Sequence, residues 1–224
     1  MHRLPPRAFA FDLDGTLVDS RLDIAAACNH VLVQAGRQPL DPAVVVGFVG
    51  DGVRALLARA FGLPPEDGTL DPLVHELVRY YAAHPVVHTT WIPGALATLD
   101  ALADAPAALV TNKAREVTLA VLDALGARGR FAFVYAGGDG PLKPHPAPVT
   151  ATARALGVPA EALWVVGDGA QDIQAARAAG ATAIAVLGGF TSEQRLRETR
   201  PDALLESLPR LVALRDAAAR RPVA

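Results

Sequence analysis

The sequence predicts an α/β fold, a parallel sheet flanked by helices and interrupted by one inserted helical segment. Three observations lead there. Short, almost wholly apolar runs recur at Ala8 to Asp12, Ala107 to Thr111, Phe131 to Ala136, Leu163 to Gly167 and Thr182 to Leu187. Continuous rather than alternating hydrophobicity marks strands covered on both faces. Stretches rich in Ala, Leu and Arg separate these runs, so strand and helix alternate and right-handed parallel crossovers follow. The interval from Leu17 to Trp91 is too long for an ordinary strand-to-helix connection and reads as several helices without a convincing strand.

Taken in order, the first run ends on Asp12, and a Gly-containing turn at Gly15 follows. Within the insert, Arg21 to Ala35 carries Leu22, Ala25, Ala26, Val31 and Leu32 at roughly helical spacing. A second helix starts at Val53 after Gly50-Asp51-Gly52, and Leu73 to Ala82 forms a third. The alanine content reflects helix propensity, and no repeat or low-complexity tract is present. Trp91 and Trp164 read as packing residues.

The chain has 224 residues, enough for one substantial core with a smaller insert. Apolar residues make up 51% and charged residues 20%, the balance of a globular enzyme. A formal charge of −2 leaves no global basic field, which argues against nucleic acid as a partner. Cys28 is the only cysteine, so no internal disulfide forms. The segment Met1 to Pro6 has no signal-type apolar stretch and no run approaches membrane-spanning length, so a cytoplasmic protein without membrane association is expected.

Candidate chemistry gathers at the strand ends. Asp12 ends the first strand, Thr111-Asn112-Lys113 the second and Gly167-Asp168-Gly169 the fourth, while Lys143 follows the third. In a parallel sheet these ends share one edge, where ligands bind. Asp12, Asp14 and Asp168 brought together would repel one another, and a divalent cation relieves that repulsion. An all-oxygen ligand set favours a hard cation such as Mg²⁺. Thr111 supplies a hydroxyl, and the backbone N–H groups beside it are expected at a helix start, a cradle for phosphoryl oxygens. His84 and His88 are four apart, but Pro85 disrupts the helix that would align them as metal ligands. Arg195, Arg197 and Arg200 read as a solvated helical face.

Asp12-Leu13-Asp14-Gly15-Thr16-Leu17-Val18-Asp19-Ser20, with Thr111, Lys143 and Asp168 in that order, resembles the haloacid dehalogenase superfamily of phosphatases. Gly50-Asp51-Gly52-Val53-Arg54, Leu109 to Lys113, Lys143 to Pro148 and Asp172 to Ala176 are similar to phosphoglycolate phosphatases in particular. The resemblance implies a Rossmann-like core over 1–16 and 91–224 and an all-helical cap domain over 17–90. It implies a Mg²⁺-dependent phosphomonoester hydrolase in which Asp12 is the nucleophile and Asp14 the general acid and base. The metal would be held by the Asp12 and Asp168 carboxylates and the Asp14 carbonyl. Asp172 would hold a metal water or orient Lys143. Thr111, Asn112, Lys143 and Gly50 would bind the phosphate, and Arg54 a distal carboxylate of the substrate.

One departure is the loop Gly137 to Lys143, shorter than such proteins usually have. The leading substrate is 2-phosphoglycolate. The alternatives are pyrophosphate, another small phosphoester, a sugar-phosphate mutase using the same Asp pair, and a non-catalytic phosphate-ester-binding protein. A dehalogenase has no use for Asp14 and its metal.

Overall fold

The computed structural model describes residues 5–220; Met1 to Leu4, part of the stretch read above for a signal segment, lie outside the described residues, as do 221–224. In chain order the elements are β1 (Ala8–Phe11), β2 (Val18–Asp19), α1 (Arg21–Gln34), α2 (Pro42–Val46), α3 (Val53–Phe61), α4 (Leu70–Ala83), β3 (Thr90–Trp91) and α5 (Ala95–Ala101). There follow β4 (Ala107–Ala114), α6 (Arg115–Ala124), β5 (Phe133–Gly137), α7 (Ala147–Ala155), β6 (Leu163–Gly167), α8 (Ala170–Ala178), β7 (Thr182–Val186), α9 (Glu193–Glu198), β8 (Ala203–Leu205) and α10 (Arg210–Ala219). Six strands form one parallel sheet in the order β5-β4-β1-β6-β7-β8.

The central strand β1 shows why both faces are covered. Its Phe9 and Phe11 enter one apolar cluster with Leu109, Trp164 and Val166, beneath α5 and α6. Its Ala8 and Ala10 enter the other, with Val165, Ala183 and Ala185, beneath α7 and α8. Strand side chains alternate between faces, so one face is built of large groups and the other of small ones. Trp164 packs edge-on against Phe9, with ring centroids 6.1 Å apart.

Four features depart from the sequence expectation. β8 is a sixth strand, too short at three residues to register as an apolar run. β4 continues through Thr111 to Ala114, with an irregularity in its pairing after Val110, so α6 starts only at Arg115. β5 begins at Phe133 rather than at Phe131, which closes a short 3₁₀ turn. The insert is not wholly helical either, because β2 and β3 pair antiparallel at its two ends, Val18 with Trp91 and Asp19 with Thr90. Two-residue strands carry too little pattern to be read from sequence.

Helices α1 to α4 lie between these strands, and their apolar residues Ile24, Leu57 and Leu77 join the cluster under the Phe9 face. A buried carboxylate stitches the return path. Asp23 on α1 accepts from the N–H groups of Val87 (3.1 Å), His88 (3.0 Å) and Thr89 (2.8 Å), and from the Thr89 hydroxyl (2.6 Å). Burial alone would raise its pKa, but these donors together hold it below the usual carboxylate value. No helix among the described residues is long and apolar enough to cross a membrane.

Candidate active site

The carboxyl ends of β1, β4 and β6 open on a cavity of about 80 Å³ roofed by the inserted helices. Asp12, Thr111, Lys143 and Asp168 line its floor, and Ile24, Leu56 and Tyr81 its roof. The Asp12 N–H still donates to Val166 O at 2.9 Å, so strand pairing fixes the backbone from which its side chain projects.

Lys143 sits beneath Asp12. Its ammonium donates to Asp12 Oδ1 (2.8 Å), Asp172 Oδ1 (2.5 Å) and the Val110 carbonyl (2.6 Å). An ammonium has three N–H donors, and all three are used. The short loop therefore delivers the lysine to Asp12. Asn112 holds that loop, its amide oxygen accepting from Lys143 N–H (2.9 Å) and its NH₂ donating to Lys143 O (2.8 Å). The same NH₂ donates to Gly50 O at 2.8 Å and ties the loop before α3 to the core. Gly50 has φ 126°, and a Cβ there would meet the Gln171 amide at 2.8 Å.

Asp168 Oδ1 accepts from the Thr16 hydroxyl and Oδ2 from Phe190 N–H, both at 2.7 Å. Gly15, at φ 84°, leaves room for it, since a Cβ there would lie 2.3 Å from Asp168 Oδ2. Asp172 caps α8 through Oδ2, which accepts from Gly169 N–H at 2.9 Å. Asp12, Asp168 and Asp172 each place an oxygen within 4.8 Å of the others. Burial pushes Asp12 up to about 8, with Lys143 opposing and the Asp172 and Asp168 charges adding. Burial, then Asp172, pushes Asp168 up to about 6. Burial works against the Lys143 ammonium, but Asp12 and Asp172 outweigh it and raise its pKa.

Three carboxylates against one ammonium leave a formal excess of two negative charges in an all-oxygen pocket. That donor set fits a hard divalent cation. No hydrogen bond among the described residues uses Asp12 Oδ2, and Asp12 lines the cavity.

Asp14 lines the same cavity but pairs with a different lysine. Its Oδ1 accepts from the Ser20 hydroxyl (2.6 Å), and Lys113 Nζ lies 3.0 and 3.1 Å from its two oxygens. Lys113 also donates to the Tyr81 hydroxyl at 3.0 Å and lies 4.2 Å from that ring's centroid. Burial disfavours this ammonium, yet Asp14 and Tyr81 raise its pKa on balance.

Three expectations are corrected. Arg54 does not reach the cavity. Val53 and Leu56, three apart on α3, line it, and the intervening Arg54 turns out to donate to Pro65 O (3.1 Å) and Asp67 O (3.3 Å) and to pair with Asp71. The Asn112 side chain is consumed by scaffold bonds and has nothing left for phosphate. The N–H groups beside Thr111 belong to a strand, not to a helix start; Thr111 Oγ1 instead accepts from Lys113 N–H at 3.2 Å, which leaves its O–H proton for another acceptor. His84 Nδ1 is hydrogen-bonded to Tyr80 O at 2.9 Å, with no place in the acidic cluster.

Sequence reasoning gave no individual role to Thr16, Ser20 and Lys113, though they stand in the motifs quoted above, and it missed Tyr81 and Phe190. Thr16, Ser20 and Lys113 adjoin residues already singled out, so proximity along the chain was the available signal. Tyr81 and Phe190 carried none.

The sequence pattern of haloacid dehalogenase-like hydrolases matches residues 9–186. A phosphoglycolate phosphatase of Chromobacterium violaceum is 38% identical over 198 residues, 85% of this chain and 89% of that protein. One from Aquifex aeolicus is 36% identical over 214 residues, 94% of this chain and 97% of that protein. Among solved structures, a predicted phosphoglycolate phosphatase from Haemophilus somnus 129PT is similar in fold, with a TM-score of 0.84 at 24% identity, covering 94% of this chain and 98% of that one.

Proposed function

Since the chain belongs to the haloacid dehalogenase-like hydrolase family, we propose that it hydrolyses 2-phosphoglycolate through an aspartyl phosphate formed on Asp12, with Mg²⁺ as cofactor. The observation that carries the reading is Asp12 itself. It is buried on the cavity floor with Oδ1 held by Lys143 and Oδ2 without a hydrogen bond among the described residues. A carboxylate so held is a nucleophile aimed by its second oxygen.

Phosphoryl transfer asks mainly for alignment and charge stabilisation. Asp12 Oδ2 attacks phosphorus while the Thr111 O–H donates to a phosphoryl oxygen. Lys143, its donors saturated, works through Asp12 by fixing its orientation and offsetting its charge. Asp14 enters the step protonated and gives that proton to the leaving alkoxide; as the carboxylate that Ser20 and Lys113 hold, it then takes a proton from the water that hydrolyses the acyl phosphate, which restores the acid for the next turnover. The Asp12 and Asp168 carboxylates, with the Asp14 carbonyl, would hold Mg²⁺, which when bound neutralises charge on the transferring group.

In the same reading residues 17–90 are a cap that opens and closes over the core, hinged at β2 and β3. The Gly50 and Asn112 contact is then a latch of the closed form. Apolar roof residues exclude water from the leaving group.

The test is phosphate release from 2-phosphoglycolate beside pyrophosphate, β-glucose 1-phosphate and nucleoside monophosphates, with Mg²⁺ or chelator. Asp12→Asn serves as the blank, with turnover lower by at least about 10³-fold. A Mg²⁺-dependent preference for 2-phosphoglycolate is expected. Preference for another ester discards the substrate, and activity surviving in Asp12→Asn discards the mechanism.

A further inference from the structure

The roof of the cavity is apolar, lined by Ile24, Val53, Leu56 and Leu77, with Val117 and Phe190 beside it. A negatively charged leaving group entering there loses hydration and needs a partner. Among the described residues lining the cavity only Lys113 and Lys143 are cationic. Lys143 has no N–H to spare, because Asp12, Asp172 and Val110 O take all three.

Lys113 is placed differently. Its partners are the hydroxyl of Tyr81, which projects from α4 in the roof, and the two oxygens of Asp14, which belong to one carboxylate and lie too close together to take separate tetrahedral N–H bonds, so they share one and a third N–H is left for a ligand. The Tyr81 oxygen accepts from Lys113, and among the described residues its own O–H proton is donated to nothing. An ammonium and a phenol proton thus stand side by side at the cavity wall, a two-point match for a carboxylate. Because Lys113 touches Asp14, an anion bound there lies only a few atoms from the ester oxygen that Asp14 protonates.

We propose that Lys113 and Tyr81 are the receptor for an anionic leaving group, so that the site selects phosphate esters of short hydroxy acids. The inference rests on the reading of this chain as a 2-phosphoglycolate phosphatase and supplies the recognition that Arg54 does not.

The experiment compares 2-phosphoglycolate with 2-hydroxyethyl phosphate, the same skeleton ending in a neutral hydroxyl, through kcat/KM and its two components. The wild type prefers the carboxylate ester. Lys113→Met slows both substrates, because Asp14 loses a partner, but lowers the preference by about 10- to 100-fold, chiefly through KM for 2-phosphoglycolate, as expected for one lost charge-assisted hydrogen bond. Tyr81→Phe removes one hydroxyl, leaves the Asp14 contacts in place and lowers the same ratio by a smaller factor. It gives the same readout should Lys113→Met fail to fold. An unchanged ratio in a folded variant of either residue overturns the receptor while leaving the substrate reading intact. A wild type indifferent to the carboxylate overturns the substrate reading, and the receptor with it.

Discussion

At Lys143 one ammonium satisfies three acceptors drawn from three parts of the chain, and two of them are buried carboxylates with no other cationic hydrogen-bond partner among the described residues. Removing one member of a buried charge network costs more than the network contributes, because the remaining charges stay desolvated and unpaired. Lys143→Met is therefore expected to lose about 3–5 kcal/mol of stability and to abolish turnover by losing the orientation of Asp12. Urea unfolding and kcat measured on the same preparation check both. A variant of unaltered stability would mean that Asp12 and Asp172 need no cation at this position. Gly15 belongs to the same scale, since the carboxylate of Asp168 occupies the space that any Cβ would take.

Among the elements, the joints between core and insert carry the most consequence. β2 and β3 hold together through two residue pairs, and Asp23 fastens the segment just before β3 to α1. The Asp23 pKa is lowered in the folded protein, so between the folded and unfolded values the unfolded chain binds the extra proton. Stability from this group is present above the unfolded value of roughly 3.9 and is lost as pH falls through the folded value. Asp23→Asn is expected to cost about 1–3 kcal/mol near neutrality and to flatten the acid limb of stability against pH. Denaturant unfolding across the acid range measures both, and an acid limb as steep as that of the wild type would place the titration elsewhere.

Over the whole molecule, the two faces of the sheet differ in the size of what they bury. Phe9 and Phe11 meet bulky partners on one side, while Ala8, Ala10, Ala183 and Ala185 let α7 and α8 lie close on the other. Ala10→Leu adds volume where the layers have none to give and is expected to cost about 1–3 kcal/mol, seen as a lowered Tm. An unchanged Tm would show that the helices can move apart. Much of this plan was legible in the residues. Five of the six strands announce themselves as apolar runs, and Asp12, Lys143 and Asp168 sit at or just beyond strand ends, because burial on two faces and placement at a sheet edge are properties of local sequence. The short strands β2, β3 and β8 were not legible, since two or three residues carry no period. Nor were the partners of the charges. Lys113 meets Asp14 across 99 positions and Tyr81 across 32, while Arg54, a residue of suitable chemistry, is turned away by its place on α3. Sequence alone determined the order of the core and which residue types stand at its working edge. Tertiary structure alone decided which of those charges pair and which face the cavity, because electrostatic and hydrogen-bonding energies depend on distances between elements that chain order does not contain.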